Sequence, residues 1–474
     1  MNSLIIILLI VLYLYMIISA ISVLLLENRN PVRSLSWVIV LVLLPIIGII
    51  LYLLIGQNYR KQKIISKKSI RHNTKLSKTE FHPEDFQEFI TQSHHFNLVN
   101  LLKKNSDAPA YAFNKIDVLA DGEATFDSMF EAIKNAKDHI HIEFFIFGDD
   151  RISNHLRELL IEKAQAGVRV RMIYDYLGSI DLSKKYLQSL RDAGAYVKPF
   201  LPLRLRLRRS KINFRNHRKL LIVDGKLGFT GGLNFADRYI FGNTLGKWRD
   251  TFVRFEGSVV HGLQSLFLTD WYFVERKLIT DLKYYPKPKK HSENLVQIVS
   301  SGPDSDWESI MQGIASAIMS ANKYIYIHTP YFVPNDVILN AVSIAALSGI
   351  DVRLMIPTVS DSKLSDACTF SYLGEILDAG VKVYQYKDGF LHSKAIVIDD
   401  FISIIGSANL DERSFNQNFE ANAFIYDVET SVELKGLFIK DQDNCRKISI
   451  DDWNNRKRSQ KLKESFARLF SPII

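Results

Sequence analysis

The chain carries one short pattern of polar residues twice, and the two copies lie 175 residues apart. Each copy has a histidine, a lysine two positions later, four apolar residues, an aspartate, a second apolar run and an asparagine. The two sets are His217, Lys219, Asp224 and Asn234, and His392, Lys394, Asp399 and Asn409. One such match arises by chance in very roughly a few per cent of chains, whereas a duplicate with the same internal spacing does not. The duplication therefore predicts two homologous lobes.

The sequence around each copy alternates strand-length apolar runs with helical patterns, which is typical of an α/β fold. Strands are predicted at 139–145 and 168–173, and again at 324–327 and 352–356. Each half also has two predicted helices that end at a glycine, the usual residue after the last helical turn. These glycines are Gly167, Gly194, Gly349 and Gly380. We predict two α/β lobes with pseudo-two-fold symmetry, over residues 106–285 and 286–474.

The spacing within each motif has a geometric explanation. Side chains two positions apart on a strand share a face, so His217 and Lys219 are predicted to project together. The next four apolar residues predict a strand buried on both faces, and the Asp-Gly pair after it predicts a tight turn that brings Asn234 back to the level of His217. Asp224 and Asp399 belong to the candidate catalytic motif, but their place at a turn fits a role in holding the hairpin at least equally well.

If the lobes face each other, two imidazoles, two ammonium groups and two amides surround one small pocket. That inventory fits a phosphate, because lysines neutralise its non-bridging oxygens and asparagines donate hydrogen bonds. A neutral histidine can attack phosphorus to give a phosphohistidine while the opposite, protonated histidine supplies the leaving alkoxide with a proton, and the roles then reverse. No acidic cluster with metal-ligand spacing accompanies the motifs, so we predict a reaction without a metal or other cofactor.

Two stretches without charged side chains, residues 1–26 and 34–59, each exceed the roughly 20 residues that cross a bilayer as a helix. The short link between them predicts a transmembrane hairpin over residues 1–59. A cleaved signal peptide is the alternative for the first stretch, although it has no basic start and no evident cleavage site. The linker 60–105 begins with eight basic side chains before its first acid, Glu80. This asymmetry predicts a cytoplasmic location for everything after residue 60, and a merely solvated linker is the alternative to one that lies on lipid head groups.

The net charge of +9 suits an anionic partner. Basic and apolar residues alternate over 203–215, and Leu462, Phe466 and Leu469 follow helical spacing beside lysines near the C-terminus. Both segments are predicted to contact an anionic bilayer, with a nucleic-acid surface as the alternative for the first and a core-packing helix for the second.

The chain has only two cysteines, too few for a disulfide framework or a four-thiolate zinc site, and we interpret both as inert thiols.

The duplicated motif resembles the HxKxxxxD signature of the phospholipase D superfamily, over about residues 106–474. Within that superfamily, the apolar N-terminal stretches, the run Trp248-Arg249-Asp250 and the run Arg413-Ser414-Phe415 before Glu420 are similar to bacterial cardiolipin synthases. The resemblance implies that Asp250 and Glu420 each accept a hydrogen bond from an active-site imidazole and fix its tautomer.

The same resemblance implies that His217 is the nucleophile and His392 the acid and base, with the opposite assignment still open. The implied reaction joins two phosphatidylglycerol molecules into cardiolipin and releases glycerol, so the expected partners are anionic phospholipid and the membrane, without nucleic acid. Three alternatives remain: phospholipase D hydrolysis by the same residues, a nuclease of the superfamily, which the apolar stretches disfavour, and an inactive membrane scaffold, which the intact residue pairs disfavour. The oligomeric state has no sequence signal.

Overall fold

The computed structural model describes residues 95–202 and 213–471, together with scattered positions between residues 7 and 52. In the N-terminal part, helix α1 (Pro31–Leu43) contributes Leu41 to a small buried cluster with Tyr52. Across the described residues, no helix has both the length and the apolar character that crossing a bilayer requires. Most of the predicted hairpin lies outside the described residues, as do the linker up to residue 94 and the Arg-rich segment 203–212.

Residues 96–285 form a first series of alternating helices and strands. In chain order these are α2 (Phe96–Ser106), β1 (Ala110–Ala112), β2 (Lys115–Leu119), α3 (Gly122–Lys134), β3 (His139–Phe144), α4 (Arg151–Gln165), β4 (Arg169–Asp175), α5 (Lys184–Asp192), β5 (Tyr196–Phe200), β6 (Arg215–Asn216), β7 (Leu220–Val223), β8 (Leu227–Gly231), α6 (Arg238–Phe241), β9 (Trp248–Arg249), β10 (Phe252–Glu256), α7 (Val260–Glu275) and a 3-10 turn at Leu282–Tyr284. Seven of the strands form one sheet in the order β2-β10-β8-β7-β3-β4-β5. Strands β3, β4 and β5 are parallel, and the other neighbours are antiparallel.

The remaining residues form a second series with the same order. It consists of β11 (Leu295–Ser301), α8 (Ser309–Met319), β12 (Tyr324–His328), β13 (Phe332–Val333), α9 (Asp336–Leu347), β14 (Asp351–Pro357), α10 (Lys363–Asp378), β15 (Lys382–Tyr386), β16 (Phe390–Leu391), β17 (Ala395–Ile398), β18 (Ile402–Gly406), β19 (Leu410–Asp411), α11 (Glu412–Asn416), β20 (Asn418–Tyr426), α12 (Val428–Gln442), β21 (Cys445–Lys447), α13 (Ile450–Asn454) and α14 (Arg458–Arg468). The second sheet runs β1-β11-β20-β18-β17-β12-β14-β15-β21. Its central seven strands repeat the first sheet position by position, which confirms two homologous α/β lobes.

Local sequence signals explain where the helices begin and end. The four glycines predicted to follow helices all do so, with φ between 89° and 97°, a region in which only glycine avoids a steric penalty. Helix α4 begins after Asp150, whose carboxylate accepts the N–H of Ser153, and α9 begins after Asn335, which caps Ile338 in the same way. The predicted strands are present as β3, β4, β12 and β14.

Each sheet packs against its own apolar core. In the first lobe, the core includes Phe144, Phe235 and Phe252, and in the second it includes Ile327 and Leu354. Strand β1 pairs with β11 in the second sheet, so the range predicted for the first lobe starts with a strand that belongs to the other sheet. The lobe boundaries therefore stay a prediction.

Two short strands leave their own lobe and pair with the other one. Strand β6 pairs in parallel with the start of β20, and β16 pairs in parallel with β9. Each of them comes directly before a motif histidine, His217 in one case and His392 in the other. The two crossings hold the lobes face to face at the motifs, because each one ties its motif to the backbone of the opposite lobe.

Candidate active site

The motif histidines lie at the crossings between lobes, and not on strands as predicted. His217 is on the link between β6, which pairs with the second sheet, and β7, which lies in the first, so regular pairing stops there. Its backbone N–H donates to the carbonyl of Phe419 over 2.9 Å. His392 is on the equivalent link between β16 and β17, and its N–H donates to the carbonyl of Arg249 over 2.8 Å. The two imidazoles are thereby anchored at the same junction.

The carboxylate that faces His217 comes from the other lobe. Nδ1 of His217 lies 2.9 and 3.0 Å from the two oxygens of Glu420, which has no exposed surface. Ser407 and Asn418 also donate to this carboxylate, over 2.5 and 3.1 Å. Burial raises the pKa of Glu420, but the neighbouring His217 and Lys219 outweigh burial and lower it overall. A carboxylate that remains ionised accepts the Nδ1 proton, so Nε2 of His217 carries a free lone pair.

His392 has the mirror-image arrangement. Its Nδ1 lies 2.6 Å from Oδ2 of Asp250, a residue of the first lobe that is fully buried and also accepts the N–H of Thr251 over 2.7 Å. Burial raises the pKa of Asp250 to about 7, against the opposing charge of Lys394. The two histidine–carboxylate pairs therefore differ electrically, since Glu420 is ionised at neutral pH and Asp250 is close to its midpoint.

The motif lysines are buried beside the histidines. Nζ of Lys219 donates to the carbonyl of His217 over 2.6 Å, and Lys394 donates in the same way to the carbonyl of His392. Burial lowers the pKa of Lys219 to about 7 and that of Lys394 to about 8. Burial thus disfavours the charged form of both lysines. An anion bound between the two ammonium groups would stabilise that charged form.

The charges of the two motifs act on each other across the junction. Burial lowers the pKa of His217 to about 4, and Lys394 of the opposite lobe contributes to this decrease. Burial, followed by the charges of Lys394, Lys219 and His217, holds the pKa of His392 well below its ordinary value. Both imidazoles are therefore neutral while no anion is bound. The negative charge of a bound phosphodiester would raise the pKa of an imidazole beside it, because that charge stabilises the imidazolium form.

The motif asparagines are also buried here, although part of their hydrogen bonding is satisfied inside the lobes. Asn234 accepts the N–H of Ile146 over 3.1 Å and donates to the Tyr239 hydroxyl over 3.1 Å. Asn409 donates to Asp411 over 3.0 Å, and its side-chain oxygen has no hydrogen-bond partner among the described residues. Each amide has a further N–H that could reach a ligand.

The motif aspartates lie at the far ends of the buried strands β7 and β17. Asp224 accepts the backbone N–H groups of Lys137, Asp138 and His139, over 2.8 to 2.9 Å. Asp399 accepts those of three consecutive residues in the same way. Both have positive φ, 55° and 54°, as the tight turn requires. Their contacts hold the hairpin to the neighbouring strand.

Sequence reasoning missed the meaning of one difference between the motifs, Gly232 in the first and Ser407 in the second. A Cβ on Gly232 would overlap the carboxylate of Asp250, so this position needs glycine. At the equivalent position, the hydroxyl of Ser407 donates to Glu420. Two aromatic contacts of the motif histidines were not predicted: the ring centroid of Phe145 lies 5.0 Å from that of His217, and the ring centroid of Trp248, which belongs to the run that carries the family resemblance, lies 5.1 Å from that of His392. Neither aromatic residue has a spacing signal that would single it out.

Other histidines that stand out in the sequence have structural contacts. His139 and His141 are buried beside Gln264, and His328 lies 3.3 Å from Asp441. Within the described parts of the chain, no three His, Cys, Asp or Glu side chains are grouped so that they could hold a metal ion. The predicted absence of a cofactor stays a prediction.

Comparison with known proteins identifies the family. A family described as "Cardiolipin synthase, PLD-like domain" matches residues 129–253 and 314–442, once in each lobe, and together these cover more than half of the chain. The chain belongs to the phospholipase D-like cardiolipin synthase family. A second family, described as "Phospholipase_D-nuclease N-terminal", matches residues 11–57.

Individual members of this family are similar over nearly their whole length. Cardiolipin synthase 2 of Bacillus anthracis is 40% identical over 457 residues, which cover 95% of this chain and 89% of that protein. The major cardiolipin synthase of Bacillus subtilis (strain 168) is 40% identical over 470 residues, or 97% of each chain. Among solved structures, a phosphatidylserine synthase of Haemophilus influenzae Rd KW20 aligns with a TM-score of 0.62 at 16% identity, over 80% of this chain and 100% of that one. This last similarity concerns the fold alone.

Proposed function

We propose that this chain is a cardiolipin synthase that transfers a phosphatidyl group from one phosphatidylglycerol to another and releases glycerol. The observation that carries the proposal is the pair of crossed contacts, His217 with Glu420 and His392 with Asp250, at a junction that also holds two buried lysines. The curated relatives are named cardiolipin synthases at about 40% identity. Phosphodiester chemistry is what two imidazoles and two ammonium groups around one site are suited to perform.

In the first half-reaction, Nε2 of His217 attacks the phosphorus of the bound phosphatidylglycerol. A new P–N bond forms and the P–O bond to the glycerol head group breaks. The alkoxide takes the proton from Nε2 of His392, whose pKa rises when the anionic phosphodiester binds. Lys219 and Lys394 neutralise the non-bridging oxygens, and the amides of Asn234 and Asn409 orient them.

In the second half-reaction, a glycerol hydroxyl of another phosphatidylglycerol enters the position that glycerol has left. His392, now neutral, removes its proton while the oxygen attacks phosphorus and the P–N bond breaks. His217 is regenerated, and the product contains two phosphatidyl groups joined by one glycerol, which is cardiolipin. Microscopic reversibility requires that the same imidazole serve as acid and then as base.

The electrical difference between the two carboxylates supports His217 as the nucleophile. A phosphohistidine that keeps its Nδ1 proton is positively charged, and an ionised Glu420 stabilises that charge. Asp250, with its pKa near 7, suits a histidine that must give up and regain a proton. The two lysines provide the positive charge that a metal pair would otherwise supply, and on that basis the proposed reaction needs no metal.

We further propose that residues 1–59 anchor the chain in the cell membrane as a two-helix hairpin, with both lobes on the cytoplasmic side. The two uncharged stretches and the basic run after residue 60 support this arrangement. Tethering would keep the site at the lipid surface, where a second phosphatidylglycerol competes with water through its high local concentration.

The product of the reaction tests the proposal. The purified full-length chain would be incubated with phosphatidylglycerol liposomes, and the lipids would be separated afterwards. We expect cardiolipin and glycerol, and added glycerol should drive cardiolipin back to phosphatidylglycerol because one phosphodiester replaces another. Phosphatidic acid as the sole product would instead identify a phospholipase D that uses the same residues with water.

A further inference from the structure

The C-terminal helix α14 (Arg458–Arg468) is attached to the second lobe by one face. Ala467 is 3% exposed, and its carbonyl accepts a hydrogen bond from the thiol of Cys368 on α10 over 2.9 Å. Arg468 reaches Glu375 on the same helix, α10. Glu464 is 4% exposed and bonded to Arg456 over 3.0 Å. The packed face is therefore fixed by polar contacts as well as by apolar ones.

The opposite face of α14 exposes its large apolar side chains. Leu462, Phe466 and Leu469 are 71, 65 and 73% exposed. Because they are four and three residues apart, these three side chains form one stripe along the helix. The stripe includes Leu469, the first residue after the helix ends. A helix on the surface of a soluble protein normally turns such a stripe inward, whereas this one turns it outward. The sequence predicted either an interfacial helix or a core-packing helix. In the structure, one face of α14 packs on the lobe and the opposite face is exposed.

The exposed charged side chains of α14 itself are all basic. Arg458, Lys461 and Lys463 are exposed on the helix, and Lys457 is exposed just before it. The single acid within the helix, Glu464, is turned inward to Arg456 and Gln460. A helix face with large apolar side chains and basic side chains on the same helix complements an anionic bilayer, in which acyl chains lie beneath negatively charged phosphates.

We propose that α14 is an interfacial membrane-binding helix, which inserts Leu462, Phe466 and Leu469 among the acyl chains of an anionic bilayer. The flanking lysines would contact lipid phosphates. This contact would be separate from the N-terminal hairpin and would hold the second lobe at the membrane surface. The inference rests on the proposed function only in that the chain works on an anionic lipid.

A fluorescent probe at the stripe tests this proposal in the full-length chain. Phe466→Cys would be labelled with a thiol-reactive NBD dye and reconstituted into phosphatidylcholine vesicles with or without phosphatidylglycerol, some with brominated acyl chains that quench the dye. Burial raises the pKa of Cys368 to about 11 and of Cys445 to about 12, so the natural thiols react slowly, and the unsubstituted chain gives the background. Ile180→Cys is the matched control, because Ile180 is 64% exposed on the first lobe.

We expect bromolipids to quench most of the emission at position 466 in vesicles that contain phosphatidylglycerol, and much less of it in phosphatidylcholine alone or at position 180. Quenching at 466 no stronger than at 180 would overturn the proposal. A blue-shifted emission at 466 without bromolipid quenching would also overturn it, since another protein surface would then cover the stripe. The measurement requires no catalysis, so an inactive or hydrolytic chain would leave its outcome unaffected.

Discussion

His217 and Glu420 come from different lobes, yet the imidazole Nδ1 lies 2.9 and 3.0 Å from the two carboxylate oxygens. The carboxylate is fully buried and is held by donors from Ser407 and Asn418. Its position is therefore set by the second lobe, and its charge acts on the first.

We expect Glu420→Gln to lower kcat by about 10- to 100-fold, as is typical when a partner of a reacting histidine is lost. Glutamine keeps the shape and an oxygen acceptor but cannot stabilise the charge of a phosphohistidine. Initial rates in phosphatidylglycerol micelles measure the effect. Glu429→Gln, a change on the exposed side of α12, is the control, and equal rates for the two variants would remove the role assigned to Glu420.

His217→Ala and His392→Ala should each abolish cardiolipin formation while the protein stays folded, because one loses the nucleophile and the other the proton donor. When the wild-type chain is incubated with phosphatidylglycerol that carries radioactive phosphorus, acid-labile and base-stable label should be found on the peptide that contains His217. Label on the His392 peptide would reverse the two roles. His155→Ala, at an exposed position, should behave as the wild type.

Lys219→Met should be inactive but more stable than the wild type in the absence of lipid. The pKa of Lys219 is about 7 in the folded chain against an ordinary value of 10.5, so below pH 7 its buried charge destabilises the fold in full. Between pH 7 and 10.5 the folded state has lost a proton that the unfolded state keeps, and the destabilisation shrinks. We expect Tm to rise by a few degrees at pH 6.5 and by less at pH 9, with Lys226→Met, an exposed position, as the control.

Asp224→Asn and Asp399→Asn should affect stability more than chemistry. Each carboxylate accepts three backbone N–H groups, and an amide cannot accept them all, which costs about 1 to 3 kcal/mol. Denaturant unfolding should show the loss, while kcat per folded molecule stays close to that of the wild type. A collapse of kcat with unchanged stability would place these aspartates among the reacting groups instead.

Activity should persist after dialysis against EDTA. The positive charge at the phosphate is proposed to come from Lys219 and Lys394, which no chelator removes. Rates would be compared before dialysis, after it, and after addition of Mg²⁺ or Ca²⁺. A loss of activity that a divalent cation restores would contradict the proposed charge balance.

The sequence predicts the repeated part of this fold well. Strands β7 and β17, their tight turns and the glycines after the helices follow from local patterns, because apolar periodicity and backbone conformation depend on near neighbours. The pairings of β6 with β20 and of β16 with β9 could not be predicted in this way. They join residues about 140 to 200 positions apart, and β6, β9 and β16 have only two residues each, which is too short to leave a periodic signal. The contacts of Asp250 and Glu420 with the histidines were predicted from the family resemblance. The reason for a glycine at position 232 and a serine at position 407 is visible only when the positions of those two carboxylates are known.

Each lobe supplies the carboxylate that contacts the motif histidine of the other lobe, and this limits how such a chain can be divided. A single lobe cut from it would hold a histidine without its acidic partner, and two copies would have to associate about a two-fold axis to restore both. With the halves covalently linked, the assembly is effectively a permanent dimer. Its reaction site cannot be lost by dissociation, however few molecules of the enzyme a cell contains.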